Sequence, residues 1–211
     1  MTPIRKAGME GTSSHWRRTW AISTALAAVA TAVAAGCAGR SAGVSDAALA
    51  GEPTGRVPAD RVYVMEMSGI PAEDTTVTFL AGTARTILLQ HGPPDNTVFA
   101  EVAFPVGSFP GGADSVSVTL SPRPGVYGLE VSLPRAPGPG ATIRFRYPMH
   151  IAPPRAAEIR YGTRAKLEAA LVVGRVLEGG TIGLLASSRP ASDNLQAPLA
   201  GAGTYLLIAP R

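Results

Sequence analysis

From residue 61 onward, apolar and polar positions alternate with a period of two, in short runs closed by Gly or Pro. Residues 61–67 set Tyr63, Met65 and Met67 on one side. Residues 75–80 set Val77 and Phe79 against a row of threonines. Residues 86–89 read as a buried strand, ended by His91-Gly-Pro-Pro-Asp95. Residues 97–104 turn Val98, Ala100, Val102 and Phe104 inward and Glu101 outward. After a Pro/Gly loop the pattern resumes with Val116, Val118 and Leu120, then with Tyr127, Leu129, Val131 and Leu133, then with Ile143, Phe145, Tyr147, Met149 and Ile151. In a strand, alternate side chains face opposite sides of the sheet. Each run therefore predicts a strand with one dry and one wet face. Turn signals every ~10–15 residues predict an antiparallel sandwich or barrel.

The last third is less regular. Residues 164–171 hold good helix formers, yet also alternate as Ala165, Leu167, Ala169 and Leu171. A strand is the favoured reading and a short helix the alternative. The continuation to 186 predicts a hairpin about Gly179-Gly180. Residues 187–199 read as a polar loop, and 203–209 as a closing strand. The expectation is an all-β antiparallel sandwich of about nine strands over residues 61–211.

The residues before 61 carry no such pattern. Arg5, Lys6, Arg17 and Arg18 precede a 15-residue apolar run, 21–35, rich in alanine. A bilayer-crossing helix needs ~20 apolar residues, so this run has the proportions of a signal peptide. The run ends in Ala34-Ala35-Gly36-Cys37. Small residues ahead of a Cys, behind a basic start and an apolar segment, resemble the lipobox of bacterial lipoproteins. The resemblance covers the first 37 residues. It implies cleavage between Gly36 and Cys37, lipid on the Cys37 sulfur and an acylated new amine. Two or more acyl chains anchor stably where one does not. Cys37 is the single cysteine of the chain, so it cannot form an internal disulfide. Ala38 follows it, where Asp in such proteins favours retention in the inner membrane; an outer-membrane address is implied if the host has two membranes. Arg17-Arg18 loosely resembles a twin-arginine signal, and Met9 is an alternative start. Residues 37–60 offer few large apolar side chains and read as the lipidated Cys and a flexible tether.

Charge changes little once the leader is set aside. The whole chain has 19 basic and 15 acidic residues; residues 1–36 hold four of the former and one of the latter, leaving 15 and 14. A nearly neutral domain has no electrostatic footprint for nucleic acid. Arg144-Phe145-Arg146-Tyr147 reads as a strand with one wet face rather than a nucleic-acid patch. The paired Tyr-led strands loosely resemble immunoglobulin-type or fibronectin-type domains, and both tryptophans lie in the leader.

Candidate chemistry is sparse. Ser192-Asp193-Asn194 resembles one box of the penicillin-binding enzymes, but Ser-x-x-Lys and Lys-Thr-Gly are missing. Gly-x-Ser-x-Gly, His-Glu-x-x-His and the P-loop pattern are missing too. His91 and Asp95 share a loop in which a chelate across Gly-Pro-Pro is geometrically possible. Met149-His150, with Met65 and Met67, would suit a periplasmic copper site. The favoured reading assigns none of these to a metal. Met65 and Met67 belong to a core face, His91 ends a strand where its ring meets water, and Met149 continues an inward row that turns His150 outward. The expected function is a lipid-anchored, non-catalytic binding or accessory module of the cell envelope. It has no cofactor beyond the lipid on Cys37, and another envelope protein or a glycan as partner. An envelope enzyme and a metal carrier are the alternatives.

Overall fold

The computed structural model of the protein describes residues 51–111 and 113–211. The leader, Gly36, Cys37 and the first part of the expected tether lie outside the described residues. Among the described residues, fourteen strands and two α-helices follow one another: β1 (Gly55–Pro58), β2 (Val62–Val64), β3 (Glu66–Met67), β4 (Thr75–Leu80), β5 (Arg85–Gln90), β6 (Val98–Phe104), β7 (Ser115–Pro122), β8 (Gly128–Ser132), β9 (Thr142–Arg146), β10 (Ile151–Ala152), α1 (Arg155–Tyr161), α2 (Arg164–Ala170), β11 (Val172–Val176), β12 (Thr181–Leu184), β13 (Asn194–Pro198) and β14 (Gly203–Pro210).

The strands form an all-β antiparallel sandwich, as the alternation predicts. One sheet runs β1-β12-β11-β14-β8-β7-β4, with β2 also paired to β14; the other runs β13-β9-β6-β5. Strands β3 and β10 make a separate two-stranded ladder. Ile87, Val102, Ile143, Phe145 and Leu195 from the smaller sheet share one core with Val118, Leu129, Val131, Val173 and Leu207 from the larger. Each such side chain contributes ~1.5–3 kcal/mol when fully buried. Phe99, Tyr127 and Phe145 meet ring to ring with centroids 5.1 to 6.0 Å apart.

The larger sheet is not wet on its whole outer face. Val62, Ile182, Leu206 and Ile208 form a second buried cluster. Leu206 and Ile208 alternate along β14 with the core residues Tyr205, Leu207 and Ala209, so this central strand is dry on both sides. The smaller sheet's outer face is polar. There Arg144 on β9 reaches Glu101 on β6 at 3.3 Å and Gln196 on β13 at 2.6 Å, tying three neighbouring strands. The Arg144 to Tyr147 stretch is thus a strand end with one wet face, as expected.

Several expectations are corrected. The domain begins before Arg61: β1 pairs with β12, Thr54 N donates to Leu184 O at 2.7 Å, and Val57 packs on the second cluster. Backbone pairing orders this segment, and a count of its apolar side chains could not show that. Residues 164–170 are helical. The Thr163 side chain caps the helix by accepting from Lys166 N, and Arg164 pairs with Glu168 one turn on at 2.6 Å. Leu167 and Leu171 are buried and the intervening Ala169 is exposed, which is a period of four rather than two. The expected loop 187–199 contains β13, with Leu195 and Ala197 buried. Strand β5 is an edge strand with Leu88 about half exposed, not a fully buried one.

Candidate functional site

Three separate segments meet beside the β3–β10 ladder. Met67 pairs with Ile151, and Ser68 N donates to the His150 carbonyl at 2.8 Å, which fixes residues 68–70 against the turn at 148–150. Ala72 bridges to His91, and His91 N donates to Thr97 O at 2.8 Å, which closes the loop between β5 and β6. Within that loop Asp95 N donates to Gly92 O at 3.3 Å, and the Gln90 amide donates to Asn96 O at 3.1 Å. Asp95 is thereby held back toward His91.

One ring nitrogen from each of His91 and His150 and one carboxylate oxygen of Asp95 lie within 4.8 Å of one another. The two imidazole rings are 4.1 Å apart between centroids. His150 Nε2 is 2.6 Å from Asp95 Oδ2. The contact lacks hydrogen-bond alignment, since Asp95 Oδ2 is buried with no hydrogen-bond partner among the described residues.

His91 is 1% exposed, contrary to the expectation that its ring meets water. Its Nδ1 lies 3.0 Å from the Ile70 carbonyl. A carbonyl only accepts, so Nδ1 carries the proton and Nε2 keeps its lone pair. Burial holds the ring below the ordinary histidine value. The Ile70 hydrogen bond opposes that shift, His150 adds to it, and Asp95 opposes it. The ring is therefore neutral near pH 7. His91 Nε2 has no hydrogen-bond partner among the described residues, and such a buried acceptor costs ~1–3 kcal/mol.

A bulge supplies the wall behind it. Leu89 pairs with Ala100 and Gln90 with Val98, so Phe99 is the extra residue on β6. Phe99 is fully buried and sets its ring edge against His91 at 5.5 Å and 77°. The alternation through Val98 and Ala100 hid this residue, because strict period two puts Phe99 outside.

The turn at 148–150 also reverses an expectation. Strand β9 ends at Arg146, and beyond Pro148 the Ile151 N returns to Tyr147 O at 3.1 Å, which shifts the phase of the chain. Met149 is 73% exposed, and His150 turns inward with a side chain 16% exposed. Met149 instead lines the groove beside His150. Met65 is fully buried and Met67 packs on the core, as expected for core residues. Comparison with protein-family models, with curated proteins and with solved structures finds no match for this chain.

His150 lines a surface groove of about 350 Å³, together with Asn96, Thr97, Arg146, Met149 and Asp193. A smaller hollow of about 210 Å³ beside α1 and α2 brings Glu158 and Arg164 to its rim, and no histidine lines it. Asn194, from the Ser-Asp-Asn stretch, is buried and bonds Ala191 N and Asp193, which is loop architecture.

The same geometry bears on catalysis. In a nucleophile–His–acid relay the acid holds one ring nitrogen and the nucleophile bonds the other. Here Asp95 and the Thr97 hydroxyl, at 3.4 Å, both approach Nε2 of His150. Nδ1 of His150 faces Gly69, where an added Cβ would lie 2.9 Å away. Two histidines and a carboxylate converging in this way suit a divalent transition metal better than a relay.

Proposed function

We propose that this protein is a lipid-anchored lipoprotein of the bacterial cell envelope whose β-sandwich is a non-catalytic binding module. The Ala-Ala-Gly-Cys37 stretch behind a short apolar leader supports the anchor. The observation that carries the non-catalytic reading is the shared use of His150 Nε2 by Asp95 and Thr97, which leaves no relay to a nucleophile. The groove beside His150 offers mixed polar and apolar lining suited to a small ligand or an extended peptide.

Anchoring is tested by expressing the full chain and a Cys37→Ser variant in a bacterial host with labelled palmitate. The native chain is expected to carry label and to enter the detergent phase. The variant is expected to lose the label and to accumulate uncleaved or be released. Equal labelling and equal detergent partitioning of the two overturn the anchor.

A further inference from the structure

We infer that His91 Nε2, His150 Nε2 and Asp95 Oδ2 form a three-ligand site for a divalent metal of the zinc type, with its fourth position open to the groove beside His150. The inference goes beyond the binding module proposed above and does not depend on the lipid anchor.

Four observations converge. The His91 ring is buried, and its Nδ1–H is committed to the Ile70 carbonyl. A backbone acceptor on the far nitrogen is the device that fixes tautomer and ring orientation in metal-binding histidines. The near nitrogen, Nε2, is left with a lone pair and no partner among the described residues. Asp95 Oδ2 is likewise buried without an aligned hydrogen bond, although it touches His150 Nε2. Two unsatisfied buried acceptors beside a second imidazole form a cation site by their chemistry, since a divalent ion satisfies all three at once.

The scale of the cluster fits. Zinc bonds N and O at about 2.0–2.2 Å, so tetrahedral ligand atoms stand ~3.3 Å apart. The present spread, from 2.6 Å for the closest pair to within 4.8 Å for the whole set, brackets that value. Inserting the ion parts His150 from Asp95 by under an ångström and draws the third ligand in. Gly69 leaves room for the His150 ring on its other side.

The donors also select the ion. Mg²⁺ and Ca²⁺ favour all-oxygen shells, which two imidazoles do not provide. Cu(I) favours sulfur, and the neighbouring Met149 is exposed, while Met65 and Met67 are in or against the core. Two His and one carboxylate suit Zn²⁺. Three protein ligands with His150 partly exposed at the groove leave a fourth position for water or an incoming donor.

The test is calorimetry with the full-length lipoprotein in detergent, stripped with a chelator and titrated with Zn²⁺, with Cu²⁺ in a parallel run. One Zn²⁺ per chain is expected. Loss of more than about tenfold in affinity is expected for His150→Ala, for Asp95→Asn and for His91→Gln. His91 is buried, so far-UV circular dichroism checks that its variant folds; the variants of the more accessible His150 and Asp95 carry the result if it does not. Cobalt in place of zinc is expected to show the visible absorption of a four-coordinate ion, lost in His150→Ala. No Zn²⁺ binding by the native protein overturns the inference. So does one-to-one binding that survives both His150→Ala and Asp95→Asn. One-to-one Cu²⁺ binding without Zn²⁺ binding overturns the zinc assignment.

Discussion

At the scale of single residues, a few positions carry constraints that their neighbours do not share. Gly69 has φ +86°, and an added Cβ would meet His150 Nδ1 at 2.9 Å. Gly69→Ala is expected to cost ~1–3 kcal/mol through backbone strain, and to push the His150 ring from its present place. A lowered urea midpoint together with weakened zinc binding would show both effects; an unchanged midpoint would contradict the strain. Buried phenols impose a second constraint. Burial raises the pKa of Tyr127 and of Tyr205 above the ordinary tyrosine value; the Asp95 charge adds to the first, and Arg175 opposes the second. The Tyr127 hydroxyl donates to the Arg146 carbonyl, and that of Tyr205 to Gly201 at 2.8 Å. Below about pH 10 both the folded and the unfolded chain keep these protons. Above it the unfolded chain ionises first, so stability falls as pH rises. Urea midpoints are expected to drop steeply beyond about pH 10, and less steeply in Tyr127→Phe. The sequence paired His91 with Asp95 in one loop, but could not bring His150 to them. The phase shift at Pro148 and the bulge at Phe99 are single-residue departures from period two, and each reverses which way a side chain points.

At the scale of elements, period-two alternation located most of the long strands, because their burial is one-sided. It failed where other physics sets the structure. Segment β1 is held by pairing with β12 and by Pro53 seated over Gly183, with Val57 its main apolar contribution. A chain beginning at Arg61 is therefore expected to be about 1–3 kcal/mol less stable than one beginning at Gly51, and to expose the edge of β12. Equal melting temperatures would show that β1 contributes nothing. Helix α2 reads as a strand in sequence because Leu167 and Leu171 satisfy either period over so short a span, while its Thr163 cap and its Arg164–Glu168 pair act locally. Strand β13 is only five residues, and its Asn and Gln obscured the buried Leu195 and Ala197. Strand β14 reads as a closing strand in sequence, and it is the centre of the larger sheet, flanked by β11 and β8. Its run from Tyr205 to Ala209 is continuously apolar because both faces are buried.

At the scale of the whole molecule, the sandwich acts as a frame for one cluster. Residues 91 and 95 share one loop and residue 150 lies on a distant turn, where side chains can converge without breaking a ladder. A ligand that binds only the folded chain stabilises it by about 2.7 kcal/mol at a hundredfold excess over its Kd. Zinc at that level is expected to raise the melting temperature by roughly 5–10 °C, and to leave that of His150→Ala unchanged. The most direct measurement is the anomalous scattering of a zinc-loaded crystal, collected on both sides of the zinc edge. A single strong peak is expected between His91, Asp95 and His150, at about 2.0–2.2 Å from each ligand atom. A loaded crystal with no peak there, or with its peak on other residues, would contradict the site.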